Sequence, residues 1–446
     1  LNNMSKVAVK SSDDSNQLAV IGNVSVAVGS SSKAAIGGSV AINDIGALAG
    51  GKQSNRAAIN NADITTTDDG KISVNAVDES TLTTISAGVA ITKGNFAFSG
   101  GGSAALIEKE TKTELKNTNV NANDAAKGDV TASANGTAKI TTVGVMGAGA
   151  ENAAIGLGIA VNKINADTKT EIEGGKYQTD NLIAKSDSTA ELTSIGISAA
   201  GAKNAGVGGN VTVNLIGNDT ATKINNANII ANNNMAALAT SSETLHNYAG
   251  AMGAALGGQV GIGMSVAYNE ITGNTESVVE NSTLQASGKT ALGEDVSQKH
   301  KDSKGIVVAA DAEHELNNVI VTAGLAASSD AAVAVSGTVA VNHLDGETTA
   351  KINNTAANTS GTAGDVSVLA KDKTKVDSAV GAASVAGGAD AGVGFGAASD
   401  TNLLSRNVTA EIDGGNTKKA FNADKLTVDA QSENKTKTTA VGAAVA

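Results

Sequence analysis

Cysteine, proline and tryptophan are all absent from the 446 residues. Without cysteine, disulfide stapling and thiolate metal sites are excluded. The redox compartment stays undetermined, although a thiol-free sequence suits a long chain exported unfolded. Glycine occupies 52 positions, and with no proline beside it collagen-like and proline-rich linker architectures drop out. Aromatic residues are scarce, four Phe and three Tyr. Large aromatic side chains normally supply much of a globular core. A core here must be made of Val, Ile, Leu, Ala and Gly, and must be thin and closely layered. Basic clusters are also lacking. The formal charge is −12 and the pI about 4.9. That excludes phosphate-driven nucleic-acid binding and, being spread along the chain, favours solubility. The opening LNNMSKVAVK lacks the apolar segment of a secretion signal. The last residues, TTAVGAAVA, stop inside a recurring phrase. The chain is therefore expected to be a piece of a longer array, with targeting and anchoring segments outside it.

What is present is a repeat. GGSVAIND (37–44), GGGSAALIEK (100–109), GLGIAVNK (156–163), GGNVTVNL (208–215), GIGMSVAYNE (261–270), SGTVAVNH (336–343) and GFGAASDT (394–401) are variants of one phrase. Its anchors are Asn43, Glu108, Asn162, Asn214, Asn269, Asn342 and Asp400, at intervals of 65, 54, 52, 55, 73 and 58. A period in this range signals a solenoid or array whose constant frame is interrupted by loops of variable length. Ten positions after the Asn comes an aliphatic residue (Ile172, Ile224, Val279, Ile352; more loosely Ile59, Leu115, Ile412). Turn-like pairs follow: Asn60-Asn61, Gly174-Gly175, Asn225-Asn226, Asn353-Asn354 and Gly414-Gly415. Asn and Gly tolerate positive φ, so the chain is expected to bend there. Next come alternating stretches such as ISVNAVDES (72–80), VTASANGTA (130–138), VSVLAKDKT (366–374) and LTVDAQSEN (426–434). Their period of two is that of a half-buried strand. The Gly-rich phrases, small or apolar on both faces, read as strands covered on both sides.

Each repeat thus supplies about three strand segments that cannot bury a face alone but can when stacked on copies of themselves. The predicted fold is all-β: one elongated β-solenoid over residues 1–446, of about seven repeats, with a polar insert at 285–305. Whether a repeat makes one wide coil or two narrower ones stays open. Two sets of structural residues follow. Asn43, Asn162, Asn214, Asn269 and Asn342 would stack as an amide ladder, because identical side chains recur from coil to coil. Gly156, Gly158, Gly208, Gly261 and Gly263 would sit where two sheets approach more closely than the usual ~10 Å.

Candidate chemistry is sparse. The histidines are His246, His300, His314 and His343. AEHE (312–315) offers Glu313, His314 and Glu315 to a metal, but alternation sends the two Glu and the His to opposite faces of a strand. TTDDGK (66–71) reads as an acidic hairpin or loop turn, and the nonapeptide pattern of calcium β-rolls is absent. No nucleophile elbow, P-loop or zincin motif occurs, and the only arginines are Arg56 and Arg406. A non-catalytic chain with no cofactor and no metal is expected. AGAMGAALGGQVGIGMSVAY (249–268) is uncharged over twenty residues. With six glycines and a repeat phrase at its end, it reads as a strand pair rather than a membrane helix. The insert 285–305, QASGKTALGEDVSQKHKDSKG, is the first place to look for a binding loop, against the plainer reading of a solvated excursion.

The phrases GLGIAVNKINADTKTEI (156–172), GGNVTVNLIGNDTATKI (208–224) and SGTVAVNHLDGETTAKI (336–352) resemble the repeat regions of large Gram-negative filamentous adhesins and autotransporter passengers. The nearest group is the leukotoxin-like filamentous adhesin family. The resemblance covers nearly the whole chain but is low in complexity. It implies a secreted stalk, displayed on the cell surface through regions outside this segment, used in attachment to a host or bacterial receptor or glycan. It leaves room for lateral self-association and transfers no active site. Two alternatives stand beside it: a membrane-active toxin, and a trimeric autotransporter head, which VAVGSSSKAAIGGSVAIN (26–43) resembles at a shorter period.

Overall fold

A computed structural model describes every residue except 29–32, 48–50, 294, 295, 297, 298, 361, 416 and 417. Among the described residues, the strands form two parallel sheets, of twelve and ten strands. The first sheet carries the long strands β1 (Met4–Ala27), β5 (Thr66–Thr92), β8 (Asp129–Ala150), β10 (Lys176–Ala202), β13 (Asn228–Leu256), β17 (Ile306–Ser328), β20 (Val366–Gly388) and β22 (Leu426–Val445), stacked in that order. The second stacks β2 (Ala34–Ile45) and β3 (Gln53–Asn60) on β6 (Phe96–Lys116), then β9 (Ala153–Glu173). Next come β11 (Ala205–Gly217) with β12 (Thr220–Asn225), β14 (Val260–Thr272) with β15 (Thr275–Glu280), β18 (Ala331–Asn353) and β21 (Ala391–Asp413). The fold is a β-solenoid, and one repeat makes one coil. Each coil runs out along the first sheet, turns tightly, and returns along the second. A short third side then closes it, made by β4 (Asp63–Ile64), β7 (Asn119–Val120), the first residues of β10 and β13, β16 (Thr283–Ala286) and β19 (Ala356–Ala357).

The corner between the second sheet and the third side explains the recurring Asn and Gly pairs. Asn61, Asn117, Gly174, Asn226, Asn281, Asn354 and Gly415 all adopt φ of 45–68°, a conformation that Gly and Asn adopt far more readily than other residues. From Asn61 to Asn354, each donates its backbone N–H to a carbonyl of the next coil at 2.7–3.2 Å. The corner is thus a hydrogen-bonded column, not a loose loop.

The coil is a wedge in cross-section. At the broad end, three sides enclose a core of Ile72, Val130, Leu182, Met235, Ile306 and Val366 against Leu115, Ile172, Ile224, Val279 and Ile352. Ile64, Val120, Tyr177, Ile229 and Leu284 close it from the third side. Farther in, the column Leu82, Ile140, Leu192, Leu245, Leu316 and Val376 faces Ile45, Ile107, Ile164, Ile216, Ile271 and Leu344. Burying each such side chain stabilises by ~1.5–3 kcal/mol, so these two columns are the chief apolar reservoir of a chain poor in aromatics.

Toward the tight turns the interior shrinks to Ala, Ser and Gly. A Cβ on Gly208 would collide with the carbonyl of Met252 on the facing strand, and one on Gly206 with that of Ala254. Gly261 and Gly263 stand likewise against Leu325 and Ala323, and Gly156 against Ala199 at 2.6 Å. Gly158 leaves room for the Asn210 amide, 2.9 Å from where its Cβ would be. Backbone, not side chains, therefore sets the sheet separation at this thin edge.

Several sequence expectations need correction. TTDDGK is not a hairpin turn: residues 66–71 belong to the start of β5, where pairing with β1 jumps from Met4–Thr66 to Lys6–Lys71. The extra residues bulge out of a continuous strand. Register also moves two anchors. Ala105, not Glu108, stands beside Asn162, and Asn402, not Asp400, stands beside Asn342. The phrase alignment slipped because small residues fill both faces and mark no phase. The segment 249–268 is the end of β13, a turn and the start of β14. The stretch 26–43 runs from the end of β1 into β2, within the long frame, with positions 29–32 outside the described residues.

Substitution Gly208→Val is expected to lower the thermal midpoint, with a cost of ~1–3 kcal/mol from overpacking. Lys223→Val should change it little, because Lys223 is half-exposed and its ion pair with Glu276 (3.0 Å) is of the surface kind. Paired melting curves check this; a stabilising valine at 208 would refute the close approach of the sheets.

Candidate functional site

Polar side chains line the interior in two columns. In the second sheet Asn162 Nδ2 donates to Asn214 Oδ1, Asn214 to Asn269, Asn269 to Asn342, and Asn342 to Asn402, each at 2.8 Å. All but Asn402 are fully buried. Asn43 stands outside this run. Its register neighbour is Ala105, and its amide instead donates to the Thr83 carbonyl (2.8 Å) and Thr84 Oγ1 (3.1 Å) of the facing sheet. A second column, not read from the sequence, faces it from the first sheet. Asn247 donates to Asn318 at 2.8 Å and Asn318 to Ser378 at 3.0 Å, and Asn214 crosses to Asn247 at 3.1 Å. The signal for it was the register of Thr84, Thr142, Ser194, Asn247, Asn318 and Ser378, one column of adjacent strands.

Among the described residues, a buried Lys or Arg side chain meets a carboxylate at two matching places. Near one end Lys109, 2% exposed, binds Asp78 at 2.8 Å and Ser80 Oγ at 2.9 Å, and also pairs with Asp13. Near the other end Arg406 Nη2 and Nε meet Asp372 Oδ2 at 3.0 and 3.1 Å. Its Nη1 reaches across the stack to the carbonyls of Asp345 (2.7 Å) and Gly273 (3.3 Å). Ser80 and Thr374 each brace the Asp two residues before them. In each case the cation comes from the second sheet and the carboxylate from the first. Arg406 lies in register with Gly346, and a Cβ there would strike the guanidinium at 2.6 Å. Lone buried charge is very costly, so cation and carboxylate occur together in the same coils.

His314 completes the second cluster. Its Nδ1 is 3.0 Å from Glu243, and its Nε2 is 3.6 Å from Asp372 and 2.6 Å from Arg406 Nη2. Burial opposes an imidazolium, but the bonds to Asp372 and Glu243 outweigh it and raise the His314 pKa. Burial likewise opposes the Asp372 carboxylate, and the His314 and Arg406 contacts outweigh it and hold its pKa well below the usual range. Two carboxylates meet one permanent cation, so a proton added to His314 balances the charge, whereas the 2.6 Å contact with Arg406 Nη2 is one that only a neutral Nε2, accepting there, keeps. When that proton leaves, Nε2 can accept from Arg406. Glu243, His314 and Asp372 are all at most 1% exposed, so the cluster acts on stability rather than on a solute.

The sign of its pH dependence follows. A raised histidine pKa stabilises fully below its unfolded value, about 6.5, and the contribution is lost as pH climbs through the higher folded value. A lowered aspartate pKa contributes above about 4 and is lost as pH falls. The thermal midpoint of the wild-type chain should therefore decline from pH 6 to pH 9, and His314→Gln should flatten that decline. Identical profiles for the two proteins would show that His314 carries no stabilising proton.

The other histidines are apart from one another. His246 accepts from Asn317 (3.1 Å) and stacks on Tyr248, His343 lies 4.0 Å from Glu270, and His300 contacts Asp311. Glu313 and Glu315 face outward to Lys373 (2.6 Å) and Lys375 (2.9 Å), away from His314. Among the described residues, no group of three or more His, Asp or Glu is arranged to hold a metal ion.

The insert 285–305, described except at 294, 295, 297 and 298, lies against the outer face of the first sheet. Leu292 and Val296 cover Ile183, Ala236, Leu238, Val307 and Ala309. His300 caps Asp311 there, and Leu292 and Gly293 donate to the carbonyls of Ser303 and Lys301, both at 2.9 Å. This corrects the reading of a solvated excursion: polar composition hid two apolar anchors. Beside it runs a groove of about 330 Å³ lined by Lys71, Asp129, Asn181, Lys185 and Leu292. Leu292→Ser is expected to lower stability by ~1.5–3 kcal/mol. Replacing 289–303 by a short Gly-Ser link should lower the melting midpoint while the far-ultraviolet β signal persists, because the coils beneath keep their register. An unchanged midpoint would restore the solvated-loop reading.

No protein-family model, curated protein or solved structure matches the chain. Among the described residues, no helix is long and apolar enough to cross a membrane.

Proposed function

We propose that the chain is a non-catalytic stalk segment of a secreted, surface-displayed adhesin, holding a receptor-binding region away from the cell. The observation that carries this reading is the unbroken in-register stacking of coils, pinned from Asn162 to Asn402 by the buried amide ladder. A solenoid held coil to coil in this way is quasi-one-dimensional, and its length follows from its repeat number. Such a body transmits position and load, which is what a spacer does. That task needs no catalytic group, and the charge cluster of Glu243, His314, Asp372 and Arg406 is sealed from solvent.

The resemblance of the Gly-rich phrases to Gram-negative filamentous adhesins supports the same reading, including presentation at the cell surface and a host or bacterial receptor or glycan as the eventual partner. The test is to delete two whole coils (residues 163–269) from the parent surface protein and measure adhesion of cells displaying it. Adhesion should weaken and return when an unrelated solenoid of equal length is inserted. The purified chain alone should show no saturable binding to target cells. Saturable binding abolished by changes at Lys71, Asp129 or Lys185 would instead make this segment the binding module.

A further inference from the structure

The thin half of the wedge is patterned inside out. Its interior carries Ser39, Ser86, Ser99, Ser103, Ser198, Thr212, Ser265 and glycine, while its large apolar side chains point outward. On the first sheet the outward positions nearest the turns form four adjacent columns. Across the stack they include Val20, Ile85, Val143, Ile195, Tyr248 and Val319, with Val145, Ile197 and Val321 beside them. None of the outward positions in these columns is charged. On the second sheet one column reads Ile36, Phe98, Ile155, Val207, Ile262, Val335 and Phe395 without a small residue. Ile159, Val211, Val266 and Val339 run two columns away. Val321 and Phe395 are each 60% exposed.

We infer that a second copy of this chain covers these faces, the first-sheet band of one copy packing on the second-sheet band of another. Size is the first reason. On the first sheet, seven residues at ~3.3 Å by seven strand spacings at ~4.8 Å give roughly 800 Å², and the six spacings of the second sheet somewhat less, close to what each partner buries in a standard stable interface. Shape is the second. Gly250 stands in register between Ile197 and Val321 and opens a groove of about 460 Å³, walled by Ile195, Met252 and Val319. The uninterrupted row from Ile36 to Phe395 is a ridge of the kind a rigid groove receives. Charge is the third. The turns that tip the thin edge carry Lys93, Glu151, Lys203, Asp330 and Asp390, so edge-first entry into lipid would carry charges through hydrocarbon at ~2.5–3.5 kcal/mol each. A face-on protein partner leaves those tips in water. Both faces can be occupied at once, so copies associate side by side.

The test is sedimentation velocity on the purified chain, with two double variants. Ile197→Lys/Val321→Lys spoils the first-sheet band, and Val211→Lys/Val266→Lys the second-sheet band. The wild type should self-associate in the micromolar range. Each variant alone should be monomeric with an unchanged circular-dichroism spectrum. Mixed one to one, they should form a dimer, because each retains the face that the other lacks. Thr193→Lys, on the polar half, should associate like the wild type and controls for added charge. A monomeric wild type overturns the inference, and so does dimerisation of either double variant alone. Flotation of a monomeric wild type with phosphatidylcholine–phosphatidylglycerol vesicles would assign the bands to lipid instead. These outcomes are separate from the adhesion assay, which reads length and not association.

Discussion

In-register parallel stacking is the constraint on which the rest of this molecule depends. Once each coil lies on the next at about 4.8 Å, every interior residue faces its counterparts above and below. The interior is then chosen by column rather than by residue. Apolar columns can be filled by any mixture of Leu, Ile and Val, as at Leu82 through Val376. A polar column survives only if each member satisfies its neighbours. Asn does this with one donor and one acceptor per step, which is why the run Asn162–Asn214–Asn269–Asn342 can be both polar and fully buried.

Charge obeys the same rule more strictly. A buried cation repeated in successive coils would meet itself at strand spacing, so Lys109 and Arg406 are separated by coils carrying Ala166, Gly273 and Gly346 near the same position. Each is matched by an aspartate from the opposite sheet. Arg406 also extends over the glycines of two neighbouring coils to reach their carbonyls. The cluster with His314 and Glu243 ties three coils together through side chains from four strands, and the raised His314 pKa links that tie to pH.

The wedge shape divides the molecule by function. The broad end holds the apolar core and shows salt-bridged outer faces, such as Lys139–Glu191 and Lys375–Glu315. The thin end leaves room between its sheets mostly for Ala, Ser and Gly, so most of its large apolar residues face outward. A stalk built this way has a self-sufficient half and a half whose surface calls for cover.

The sequence by itself determined the all-β class, the period near 55 and the bends at Asn and Gly, because periodicity, turn chemistry and the lack of helical patterning are local properties. It also singled out the glycines and, apart from Asn43, the amide positions it named, since those recur with the phrase. Tertiary structure alone decided that one repeat makes one coil and that Ala105 and Asn402 hold the ladder register. It also decided that Thr84, Asn247 and Ser378 form a facing column. The reason is that register and sheet pairing depend on residues about 55 apart and on insertions of unequal length, and in the copies at 100–105 and 396–399 small residues on both faces leave no phase to read. The meeting of Glu243, His314, Asp372 and Arg406 was likewise invisible, being drawn from four strands of three coils. Leu292 and Val296 showed the same limit, since two apolar anchors in a polar stretch acquire meaning only when the sheet beneath them is known.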